Sequence, residues 1–339
     1  MAFGLGIPPG LIPPPGLVTN VQIPEVQIQA PGFNAFNRAS VVTVGPVQIQ
    51  NIGTQVGLDV EFEIKTSLKP NDPNTCDLRI WNLSEDTRRS IEQALSSTKG
   101  TAQAPETDIK VVPVRIDAGY VGHTSTVFLG EMRTGHSVIS GPDIVTELNA
   151  GDADQAVILQ RINQSLPAST TASQAIETVL GVMGCGLGNL KTDAIQSLLT
   201  SKPIFQRSAL LKGNANDILV DICRSCGVEV SIQGGVAQFL ANGRPVAGQA
   251  YLLAADTGLI GSPTVDTKGL LTCQSFIFPG IKCGGPIQIN ADSLALSEQG
   301  LYRIVSMTVK GSTFSDDWTI DIEARRYGVP AFTKKKGKK

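Results

Sequence analysis

The residues of this chain best suited to chemistry are Cys223 and Cys226, in the phrase Cys-Arg-Ser-Cys. A thiol pair at that spacing suits redox exchange when it follows a strand and opens a helix. Here both cysteines close a predicted helix over 216–226, on an apolar stripe of Leu219, Ile222, Cys223 and Cys226. On consecutive turns their Cβ atoms stand about 5–6 Å apart. An unstrained disulfide wants about 3.8 Å, so an internal bridge is disfavoured. Cys273 and Cys283 could complete a four-thiolate metal set with them, but their mutual spacing is not that of a zinc ribbon, and Cys185 adds nothing regular. Ordinary buried thiols are the simpler reading. A thiol-dependent metal or redox protein using Cys223 and Cys226 stands as the alternative of enzyme class.

Other candidates are weaker. The loop Gly184-Cys-Gly186-Leu-Gly188 follows a helix instead of a strand and lacks a Lys-Ser or Lys-Thr pair. It reads as a helix stop, not a phosphate cradle. The two histidines, His123 and His136, are each expected in a turn between strands, and no nucleophile elbow accompanies them. Asp152/Asp154 and Asp316/Asp317 sit in Gly- or Ser-containing turns, where aspartate serves the backbone. No catalytic set and no cofactor site is coherent, which favours a structural protein over an enzyme.

The elements around these residues are mostly strands. The chain has 339 residues with 35 Gly and 20 Pro, only 5% aromatic and 17% charged residues, and a net charge of −2. That composition fits many short strands and turns, and gives no general attraction to nucleic acid. No apolar run approaches the roughly 20 residues that span a bilayer. No secretory signal is evident, so the six cysteines are expected as reduced thiols. Residues 1–38 form a Pro-rich extended arm that echoes Val-Gln-Ile at 21–23, 26–28 and, beyond it, 47–49. Such apolar triplets could add a strand to a partner's sheet edge.

Residues 39–150 read as β-rich. Leu58, Val60, Phe62 and Ile64 alternate with Asp59, Glu61, Glu63 and Lys65, a strand with one dry and one wet face. Further strands fall near 41–49, 76–83, 109–117, 126–132 and 144–148, with a short helix over 85–95. Pro113 puts its strand at an edge or a bulge. Residues 151–254 are a small α+β insertion. It carries a capping box at Thr171–Gln174, a helix after it, the 216–226 helix stopped by Gly227, and a hairpin turning at Gly234-Gly235. Residues 255–328 are β again, ending in a hairpin over 302–322. Residues 329–339 are a Lys-rich tail.

Several phrases in order resemble the baseplate hub family of contractile-tailed phages. They are "FEIKTS" to "LRIWNLS" over 62–84, "VRIDAGY" over 114–120, "VFLGEM" over 127–132 and "DIVTELNAGD" over 143–152. "ANDILVDICRSCGVEVSIQGGVAQFL" over 215–240, "TGLIGSP" over 257–263, and "GLYRIVSMTVKG" with "DDWTIDIEARRY" over 300–327 complete the series. The resemblance implies a β-rich α+β fold of two tube-like β-barrel domains flanking the α+β insertion. It implies a homotrimer whose six barrels match a hexameric tail tube protein on one side and carry a central spike protein on the other. Baseplate wedge or sheath proteins would surround it, and DNA would pass only transiently through its lumen. The location implied is the virion baseplate, assembled in the host cytoplasm. No integral membrane insertion and no reaction are implied. A peripheral tail adaptor or adhesin is the binding-module alternative, against which the low aromatic content speaks.

Overall fold

Alternation of apolar and polar side chains dictates most local structure here, because a strand turns successive residues to opposite faces. In a computed structural model the described residues are 28–29, 37–55, 57–69, 72, 74–98, 112–152, 160–200, 203–205, 207–246, 250–291 and 300–326. The chain runs through β1 (Ile28–Gln29), β2 (Arg38–Val44), β3 (Val47–Ile52), β4 (Val60–Ser67), β5 (Thr75–Trp81) and helix α1 (Glu85–Thr98). β6 (Pro113–Tyr120), β7 (His123–Ser140) and β8 (Asp143–Gly151) follow. Then come β9 (Arg161–Leu166), β10 (Thr170–Thr171), α2 (Ala172–Met183), α3 (Asp193–Thr200), β11 (Pro203–Phe205), β12 (Ala209–Asn214), α4 (Ala215–Ser225), β13 (Val228–Gln233) and β14 (Val236–Ala241). β15 (Ala250–Leu253), β16 (Leu259–Val265), β17 (Leu270–Phe276), β18 (Pro286–Ile289), β19 (Gly300–Ser312) and β20 (Trp318–Arg326) complete it.

Fourteen strands form one sheet, whose main path is β1-β15-β18-β19-β4-β5-β8-β7-β6-β2-β3. Strand β19 is the join between the two β-rich halves. Its first residues pair with β18, and its last pair with β4, Val309 opposite Ile64 and Gly311 opposite Phe62. Strand β20 runs along its other edge and leads through β17 to β16. The apolar faces of both halves merge into one core, in which Phe62, Ile64 and Leu78 meet Ile304, Val309 and Ile320.

The β-rich α+β class holds, and no closed barrel forms among the described residues. The ladder stops at β3, and side chains bridge the gap to β4. Asn51 Nδ2 donates to the Leu58 carbonyl at 3.1 Å and to Thr313 Oγ1 at 3.2 Å, while its Oδ1 accepts from the Gly57 N–H at 2.6 Å. The Asn51 amide thus does the work of ladder bonds, and its burial is tolerated because it is satisfied.

Two expectations are corrected. Pro113 lies neither at an edge nor at a bulge. It is the first residue of β6, which pairs with β2 and β7, and an opening position tolerates the missing N–H. The strand expected over 126–132 is one strand of 18 residues, β7, so His123 opens it and His136 lies within it. Beyond Met132 both faces of β7 are at least partly solvated, which erases the period-2 signal. The arm's Ile28–Gln29 pairs parallel with Ala250 and Tyr251 of the same chain. Residues 1–27 and the Lys-rich tail over 329–339 lie outside the described residues.

The α+β insertion has its own core, built by α2, α4, β13 and β14. The predicted capping box is present: Thr171 Oγ1 accepts from the Gln174 N–H, and the Gln174 side chain accepts from the Thr171 N–H. Gly184 ends α2 with φ 71°, and Gly227 follows α4 with φ 72°, both left-handed stops. Helix α3 and the β9–β12 ladder were not foreseen: α3 is only eight residues long, so its Ile195, Leu198 and Leu199 make a single i, i+3, i+4 set, and β9 is largely polar.

Candidate functional site

The structure divides the four candidate thiols between two cores. Cys223 is buried in the insertion, and Cys226, partly exposed, caps α4; Cys273 and Cys283 are buried in the core of the large sheet. Among the described residues no three His, Cys, Asp or Glu side chains are placed to hold a metal ion. Burial pushes the Cys273 thiol up to about 12, helped by nearby Asp321. Cys283 also rises to about 12 by burial, and its Sγ donates to the Val305 carbonyl at 3.1 Å. Burial raises Cys223 as well. It lifts Cys185 to about 11, with Asp152 and Glu131 adding to the shift.

At pH 8 a thiol reagent is therefore expected to label Cys185 about a hundredfold or more slower than a free cysteine, whose pKa is about 8.5. Cys273 and Cys283 should stay unlabelled until denaturant exposes them. Timed alkylation read by peptide mass spectrometry checks this, and fast native labelling of Cys273 would refute it.

Asp152, read from sequence as a turn residue, is instead a buried latch between the sheet and the insertion. Its Oδ2 accepts from Asn74 Nδ2 at 3.0 Å and from the Gly234 N–H at 2.7 Å, and its Oδ1 accepts from the Gly235 N–H at 3.1 Å. Gly234 and Gly235 have φ of 61° and 71°, so two successive N–H groups converge on one carboxylate. Asn74 Nδ2 also donates to the Ile232 carbonyl at 3.1 Å, and Gln233 Nε2 donates to the Cys283 carbonyl at 3.1 Å. The β13–β14 turn is thus pinned to both β-rich halves. The sequence signal that could have found Asp152 was the Gly-Gly turn, whose two N–H groups need an acceptor. Asp152→Ala is expected to destabilise this docking by about 1–3 kcal/mol, the penalty of donors left unsatisfied. Faster amide exchange at Gly234 and Gly235 would report it; unchanged exchange there would refute it.

A second tie joins the insertion to β19. Arg303 is 0% exposed, and its Nη1 donates to Glu229 Oε2 at 2.8 Å and to the Arg244 carbonyl at 3.1 Å. Its Nε and Nη2 are buried without a hydrogen-bond partner.

The outer face of the sheet is wet and charged across the join. Glu61, Glu63 and Lys65 of β4 lie beside Asp77 and Arg79 of β5, and beyond them Glu147 of β8 and His136 of β7. On the other side stand Lys310 of β19 and Asp321 and Glu323 of β20. Arg79 reaches both Glu61 (3.6 Å) and Glu147 (3.4 Å), His136 Nε2 lies 3.4 Å from Glu147, and Lys310 bonds Asp321 at 2.8 Å. Hydrogen bonding and charge from Asp321 raise the Lys310 ammonium further. Carboxylates outnumber basic groups on this face.

Two apolar features interrupt the polar surface. The β7–β8 hairpin ends in Val138 and Ile139, the latter 82% exposed. A cleft of about 330 Å³ opens between β7, the β13–β14 turn and the segment around Lys282. Among the described residues no helix is long and apolar enough to cross a membrane. Surfaces of this kind suit assembly with other protein chains.

Comparison with solved structures shows the same fold in phage tail proteins. A tail protein of Neisseria meningitidis MC58 superposes with a TM-score of 0.58 at 9% identity, covering 87% of this chain and 98% of that one. The 43 kDa tail protein of prophage MuSo2 of Shewanella oneidensis gives 0.57 at 12% identity, covering 85% and 98%. A Francisella PdpA-VgrG complex gives 0.53 at 7% identity, covering 89% of this chain and 60% of that one. No curated protein matches in sequence. The family model described as baseplate hub gp41 matches residues 39–306, from the start of the first β-rich half to the β4–β19 join. With most of its length matched, and with the fold of a phage tail protein, the chain belongs to the baseplate hub gp41 family and is a component of the phage tail in the virion.

Proposed function

We propose that this chain is the structural hub of a contractile-tail baseplate, acting as a homotrimer that joins a hexameric tail tube to a trimeric central spike. The observation that carries the reading is the β4–β19 join, which makes two β-rich halves of one chain into a single rigid sheet. Two such units in each of three subunits give six comparable interfaces, the way a threefold part can meet a sixfold one. In the ring the open ladder completes two tube-like barrels per subunit, because neighbours cover the edges that a free sheet leaves unpaired. Wedge or sheath proteins surround the ring.

The role is mechanical. The hub holds tube to spike, and on spike release leaves a channel for DNA. The charged outer face lines this path, and its excess of carboxylates keeps DNA phosphates from binding as they pass. The protonated, buried thiols support a role without covalent chemistry.

Light scattering of the purified chain, and images of assembled tails, test the proposal. A threefold ring on the tail axis between tube and spike is expected. A monomer placed at the tail periphery would overturn it and favour the adaptor reading.

A further inference from the structure

The hairpin tip and the cleft are two apolar surfaces left uncovered among the described residues. We infer that they fit each other between copies: the β7–β8 tip of one subunit docks into the neighbouring subunit's cleft, a reading that rests on the trimeric hub above.

On one face of the tip Ile139, 82% exposed, stands opposite the partly exposed Ile144 of β8, while Val138, 41% exposed, lies on the other face. An exposed aliphatic pair across the end of a long hairpin is a surface to be covered. The cleft is bordered by Leu129 and Val236, 44% and 39% exposed, with Ile281 and Met307 also lining it. Its volume of about 330 Å³ suits a pair of aliphatic side chains and is too small for a helix. Charge agrees with shape. Lys282 lines the cleft, is exposed, and makes no ion pair with the described residues. Asp143 is the one charged residue between 138 and 144, at the foot of the tip turn. It receives a hydrogen bond from Asn82 on Oδ1 at 2.9 Å.

The contact has to form between copies. Leu129 and Ile139 lie on the same strand, ten residues apart, which at about 3.3 Å per residue places the tip some 33 Å from the cleft. A contact between two unlike surfaces is heterologous, and a heterologous contact either closes into a ring or runs on as a filament. The tip-to-cleft contact therefore supplies a head-to-tail interface of the kind a closed trimer needs. It also places the insertion, through the β13–β14 turn pinned by Asp152, at the subunit boundary.

The test pairs Ile139→Cys with Val236→Cys in one full-length chain, with each single variant as control, under mild oxidation and with light scattering run alongside. Both positions are surface-exposed, so neither substitution disturbs the core. The expected result is an inter-chain disulfide in the double variant alone, migrating as crosslinked trimer without reductant, together with a several-fold loss of trimer in Lys282→Glu. A trimer that forms no crosslink overturns the docking while leaving the trimeric hub intact. A chain that stays monomeric and uncrosslinked overturns both.

Discussion

Glu229→Ala is expected to destabilise the folded chain by about 3–5 kcal/mol, the scale for stripping the partner from a buried charge. Arg303 is fully buried on β19, and Glu229 of β13 is its counter-charge. Without that carboxylate the guanidinium keeps one carbonyl, that of Arg244, against its whole desolvation penalty. Arg303→Met should be much milder. It removes the buried charge and the two unpartnered donors Nε and Nη2 together, and leaves Glu229, 21% exposed at its side chain, to water. The asymmetry is the diagnostic. Urea unfolding of both variants measures it, and equal losses in the two would show that packing of the long side chain matters more than its charge.

The second large effect is expected at the join of the two halves. On β19, Gly311 pairs with Phe62 of β4 on one side and with Trp318 of β20 on the other. The Phe62 ring lies over the glycine and sets its edge against Trp318, with centroids 5.9 Å apart and planes at 70°. A Cβ at Gly311 would fall 2.2 Å from the end of the Phe62 ring, a separation no two carbons adopt. Gly311 is needed here for space and not for its backbone angles. Phe62→Ala should cost about 3–5 kcal/mol, the usual range for emptying a buried aromatic site. Gly311→Val should cost about 1–3 kcal/mol by overpacking. The double variant should be more stable than the sum of the two predicts, because the valine fills space that the ring has left. Additive losses in a double-mutant cycle would contradict this account of the seam.

Much of the local structure was legible in the sequence. The Val60–Ile64 alternation, the Thr171–Gln174 box, the Gly234-Gly235 turn and the hairpin of β19 and β20 all stand where their patterns put them. Each is a short-range device, in which residues a few positions apart fix one another's geometry. The readings that failed needed distant information. Pro113 was sent to an edge or a bulge because a sequence shows a missing N–H but not that an opening position leaves it unneeded. The far half of β7 showed no period because both its faces are at least partly solvated. Asp152 looked like a turn acid because its three donors come from Asn74 and from glycines more than eighty residues away.

Cys223 and Cys226, where the sequence placed its clearest candidate chemistry, lie on the apolar stripe that their spacing predicted. The spacing could not tell that Cys273 and Cys283 belong to a different core, since a core is defined by which faces meet. By itself the sequence determined the β-rich class, the α+β insertion and, through its ordered phrases, the hub family. Only the tertiary structure decided that two β-rich halves share one sheet through β4 and β19, and that a carboxylate and a buried arginine fasten the insertion to it. The physical reason is that alternation and capping act between near neighbours and leave their mark in order along the chain. Strand pairing across more than two hundred residues, and the satisfaction of buried polar groups, depend on which surfaces meet once the chain has folded.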